Sequence, residues 1–130
     1  MPYITDVDGW NELDLLPGDC SSLTHGTDED KPVKPVGDLA WGLLAENDDI
    51  GGVVRKIEKI VDGAAEVCAV QVHGVVTLEY TGTNPTVGWL RLVGSATVGK
   101  VKSAAAAAGS PLQLVIAVDT TAKTVTFIMP

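Results

Sequence analysis

Few side chains in this sequence could carry out chemistry, and their types and spacing limit what that chemistry would be. The only histidines are His25 and His73. His73 sits in a β-branched run beside Gly74, as a strand histidine at a face or a bend does, and His25 stands among polar residues and reads as solvated. Ser95 follows Gly94 in a turn, and no GxSxG nucleophile elbow occurs. Asp6-Val7-Asp8-Gly9 has the opening of a calcium loop but lacks the third acid and the closing Glu. Asp48-Asp49, in a turn-forming segment, is weaker still. Phosphate loops of the GxxxxGK[ST] or GxGxxG kind are absent, and the small cluster Arg55, Lys56 and Lys59 is offset by Glu58. The expectation is a protein that is not an enzyme and holds no cofactor or metal.

Cys20 and Cys68 form no CxxC pair and lie far apart in sequence. They fit neither a disulfide framework nor a zinc site. Cys68, among Val67, Ala69 and Val70, reads as a small core residue, and a reducing compartment is the natural inference.

The net charge of −8 is unevenly placed. Residues 1–30 hold eight acids and no Lys or Arg, and all nine basic residues lie beyond them. Such a segment repels nucleic acid, whose binding needs cations that release counterions. It suits a basic protein surface or simple solubility. The first 20 residues lack a basic start followed by an apolar stretch, so synthesis in the cytoplasm is expected. The longest apolar run, Leu114 to Val118, is too short to cross a bilayer as a helix.

The elements that would position these side chains are mostly strands. At 130 residues the chain has the size of one domain with a core, and aromatics are only 5%, so Val, Leu, Ile and Ala must build it. Residues 1–36 are rich in acids and turn formers, and Pro32 and Pro35 forbid a helix. We read residues 1–36 as an extended arm, with Tyr3, Ile4, Trp10 and Leu13 as apolar anchors for a partner, and residues 37–130 as a β-barrel domain. Leu39, Trp41 and Leu43 alternate as in a strand. Val53, Val54, Ile57, Ile60 and Val61 match a helical template, yet Gly52 and Gly63 bound the segment closely, and helix against strand stays open there.

Glu66 to Tyr80 is the strongest β segment, broken by Gly74 where its alternation changes phase, which predicts a bulge or bend. Trp89 to Val93 is a strand with Trp89, Arg91 and Val93 on one face and Leu90 and Leu92 on the other. Val98 to Lys102 returns the chain, and Ala104 to Ala108 is a surface loop. Leu112 to Val118 and Thr124 to Ile128 flank a turn and predict a hairpin. Short strands with frequent turns imply an all-β fold, a small β-barrel or sandwich with an extended N-terminal arm.

From about Val36 onward the order of segments resembles the head decoration, or capsid cement, proteins of tailed bacteriophages. The segments are Gly37-Asp38-Leu39-Ala40, then Val70 through Tyr80, then Pro85-Thr86-Val87-Gly88, then Val98 through Lys102 before a small-residue loop. Val115 through Thr121 and Thr124 through Ile128 close the series. The resemblance implies a small β-barrel that sits as a homotrimer at three-fold positions outside the expanded head. Its partners would be the major capsid protein and itself, and its role would be to hold the shell against internal DNA pressure. It implies no catalytic residues. The chain departs from the family at its N-terminal arm and at Trp89, where a polar or charged residue is common, which leaves Trp89 as core or interface. Two other readings compete. One is another virion accessory, such as a head fibre base or tail component. The other is a carrier domain, for which Lys123 has the hairpin-tip position but lacks the flanking motif.

Overall fold

A computed structural model describes residues 15–58 and 67–129. The fold is all-β, with no helix among the described residues. In chain order the strands are β1 (Leu15–Asp19), β2 (Pro32–Gly37), β3 (Ala40–Leu43), β4 (Gly52–Glu58), β5 (Val67–Gln71), β6 (Gly74–Glu79), β7 (Gly88–Gly94), β8 (Val101–Ala104), β9 (Gln113–Asp119) and β10 (Thr124–Met129).

The first five strands form a closed barrel in the order β1-β3-β2-β4-β5. Antiparallel pairing of β1 with β5, from Leu15 opposite Gln71 to Asp19 opposite Val67, closes one seam. A single parallel pairing of Asp19 with Ala40 closes the other. Inside pack Cys20, Leu23, Val33, Trp41, Val54, Ile57, Cys68 and Val70. The Trp41 indole lies over Gly18, where a Cβ would collide with the ring. A glycine is therefore required at that point of β1.

Residues 15–36 correct the expected arm of 1–36. They supply two barrel strands, and Cys20, Leu23 and Val33 are core residues. Three of the acids that suggested a solvated tail, Asp19, Asp28 and Asp30, have partners in the fold. Asp28 is buried and accepts hydrogen bonds from the Thr24 amide and the Lys31 ammonium. Asp30 pairs with Arg55 across 2.9 Å. Asp19 accepts from both the amide and the hydroxyl of Ser21, which hold its carboxyl below the usual range. Residues 1–14, with Tyr3, Ile4, Trp10, Leu13 and the Asp6-to-Gly9 segment, lie outside the described residues.

β4 resolves the ambiguity at residues 53–58 in favour of strand, and residues 59–61 lie outside the described set. A bulge between Val54 and Lys56 inserts one residue opposite β5. The bulge resets the alternation, so Val54 and Ile57 both point into the barrel while Val53 faces the other core. Three-residue spacing on one face of a bulged strand imitates a helix.

Gly74, at φ 99°, is the corner where the chain leaves the barrel for the second sheet. That sheet has the order β6-β10-β9-β7-β8. An isolated parallel bridge between Tyr80 and Val101 joins its outermost strands at one end and rolls it into a half-barrel. Burial alternates along β6 and β10, sending Val76, Leu78, Val125, Phe127 and Met129 inward. Leu44, Ile50 and Val53 cap this second core from the first barrel. The two bodies are stitched by backbone bonds from Asn47 to the Gly94 carbonyl (2.9 Å) and from Gly94 to the Asp48 carbonyl (2.8 Å). The expected β9–β10 hairpin forms, and the alanine-rich segment leaves β8 as a loop.

Candidate docking surface

The side chains that could have done chemistry are placed in structural roles or at the surface. His25 and His73 are both exposed, in a turn and at the β5–β6 corner. Ser95 is buried, its hydroxyl 2.5 Å from that of Thr81 and accepting from the Thr97 amide, so it shapes a turn. Asp48 accepts from the Lys34 ammonium and the Ala45 amide, which together hold its carboxyl below the usual range. Asp49 pairs with Arg91 across 3.2 Å. Lys123, in the β9–β10 turn at φ 59°, lies 5.6 Å from the centroid of the Tyr80 ring. Among the described residues no three His, Cys, Asp or Glu side chains gather as a metal site would require. Cys20 and Cys68, distant in sequence, share the barrel core.

The surface feature that stands out is apolar and lies on the outer face of the second sheet. Val75 on β6 is opposite Ile128 on β10. Ile128 is opposite Leu114 on β9, and Leu114 is opposite Trp89 on β7. The register thus sets four large apolar side chains in one row across four strands. Trp89 is 66% exposed, Val75 56%, and Ile116 beside the row 45%. Leu114 and Ile128 are half-buried by their neighbours.

The opposite face of each of these strands is already used for the core: Val76, Phe127, Val115 and Leu92 are buried there. The row is therefore a second apolar face on a sheet whose first is spent. Its borders are polar. On one side Thr77 and Thr126 share a hydrogen bond of 2.8 Å. On the other, Arg91 is held by Asp49 and the Ala105 carbonyl. No charged residue stands in the row itself. An apolar patch rimmed by polar groups marks an association site more often than scattered apolar residues do.

Sequence reasoning singled out Trp89 as core or interface; the structure places it outside. Val75, Leu114 and Ile128 were not anticipated, because they share a face only through strand register. Comparison with family models, with curated proteins and with solved structures finds no match.

Proposed function

We propose that this chain is a structural virion protein, a decoration or cement protein on the outside of a tailed-phage head. In this reading it associates as a homotrimer, binds the major capsid protein of the expanded shell and stabilises that shell. The resemblance in segment order is one support. The observation that carries the associative part is the uncharged row Val75–Ile128–Leu114–Trp89, open on a sheet whose other face already makes the core.

We assign the row to a neighbouring copy of the chain. Copies that each carry −8 repel one another, and contact is least costly where the surface has no charge. In a closed three-fold ring the row of one copy meets a different patch on the next. Residues 1–14, with Tyr3, Ile4, Trp10 and Leu13, remain for the shell. A ligand that binds only the expanded shell favours that shell by mass action.

The test is binding of the full chain and of a chain starting at Leu15 to heads that lack the protein. The reading predicts saturable binding of the full chain to expanded heads and weaker binding of the shortened one. Absence of binding by the full chain would refute the decoration role, and equal binding by the two would remove the assignment of residues 1–14.

A further inference from the structure

The barrel seam brings together two thiols that the sequence keeps 48 positions apart, Cys20 and Cys68. In the β1–β5 ladder Gly18 stands opposite Cys68. Cys20 lies two residues beyond Gly18, so its side chain returns to the same inward face, one step along the diagonal from Cys68. Both belong to one buried cluster, with Cys20 0% and Cys68 6% exposed. Cys68 Sγ lies 3.6 Å from the Gly18 carbonyl. Both are in the thiol form.

We propose that Cys20 and Cys68 form a reversible intramolecular disulfide that staples β1 to β5 when the protein moves from a reducing to an oxidising medium. A disulfide needs the sulfurs at about 2 Å and the Cβ atoms at about 4 Å, closer than diagonal ladder neighbours stand, so the backbone at the end of β1 must shift to close the pair. Cys20 follows the last residue of β1, and its carbonyl accepts from the Leu23 amide in a turn, so it stands outside the ladder that holds Cys68. Cys68 keeps 6% exposure and borders a groove of about 230 Å³ with Pro17, Lys56, Glu58, Val67 and Ala69. With no third metal-ligating side chain gathered there among the described residues, the chemistry open to the pair is redox.

The oxidant is a small-molecule disulfide. The Cys68 thiol gives up its proton, and the thiolate attacks one sulfur of the oxidant, releasing one small thiolate that takes up a proton. The Cys20 thiol then loses its proton and attacks the Cys68 sulfur, releasing the second small thiol. The protein loses two hydrogens and the oxidant becomes two thiols. Burial pushes the Cys68 thiol up from its ordinary value, so the thiolate is scarce and the reaction quickens with rising pH. The staple closes a long loop and raises the melting temperature by about 10 °C. The inference is independent of the docking role.

The experiment treats the full-length folded chain with oxidised glutathione at mildly alkaline pH. It is then unfolded in the presence of iodoacetamide and weighed intact. The expected product is a monomer lighter by two hydrogens, with neither cysteine alkylated, restored to two alkylatable cysteines by a reductant. Cys20→Ser should take up one glutathione instead. A wild-type chain that keeps both cysteines alkylatable, carries two glutathiones, or is linked between copies would overturn the proposal.

Discussion

Trp89 on β7 and Leu114 on β9 are directly opposite each other on the outer face of the half-barrel, and the row they begin runs on through Ile128 to Val75. If this row is where copies meet, Trp89→Glu places a buried, unpaired charge in the contact. Its side chain is mostly outside the core, so the fold should survive. We expect self-association to weaken by at least about tenfold, equivalent to about 1.4 kcal/mol, in sedimentation equilibrium. Unchanged association in a folded Trp89→Glu chain would move the contact elsewhere.

Phe127 tests the inner side of the same strand pair. It is fully buried against Val76, Val115 and Val125. Phe127→Ala should cost about 3–5 kcal/mol in denaturant unfolding, from lost burial and the cavity left behind. Val75→Thr, on the outer face, should stay within about 0.5 kcal/mol for the isolated chain. Similar losses for both would mean that the two faces are misassigned.

Gly94 is where the barrel and the half-barrel are tied. A Cβ there would run into the Ala45 carbonyl and the Leu44 Cβ. The obstacle includes backbone, so it cannot rotate away. Gly94→Ala should destabilise by about 1–3 kcal/mol and loosen the bonds that Asn47 and Asp48 make with residue 94, seen as faster amide exchange at Asn47. Wild-type exchange there would contradict this packing.

Asp48 provides a pH handle. Its carboxyl titrates lower in the fold than its ordinary 3.8, first through the Lys34 hydrogen bond and then through the Ala45 amide. A group with a depressed folded value contributes stability that is present above the unfolded value and lost as pH falls through the folded one. Wild-type stability should therefore fall below about pH 4 more steeply than that of Asp48→Asn, measured by urea unfolding across that range. Parallel curves would show that the Asp48 contacts contribute nothing in solution.

Sequence made the local features of this fold legible and hid those set by distant pairing. The β9–β10 hairpin and the strand β6 could be read from alternation and turn chemistry, which act within a few residues. β1 and β2 could not, because Pro17, Pro32, Pro35 and the acids around them look like an extended solvated segment. Their prolines are accommodated by short strands, and one of their acids, Asp30, finds its partner Arg55 far along the chain. The bulge in β4 made a strand look helical. The candidate surface was the least legible part. Each of its side chains is an ordinary outward residue of its own strand, and only the register of four strands makes them a row. The proximity of Cys20 and Cys68 is non-local in the same way, a product of the seam that closes the barrel.

The central claim, that this chain decorates an expanded phage head, is tested most directly by co-sedimentation with cognate heads lacking the protein, in both expanded and unexpanded forms. The account predicts saturable binding to expanded heads alone. Binding to neither form would contradict it, and equal binding to both would contradict the preference for the expanded shell on which the stabilising role depends.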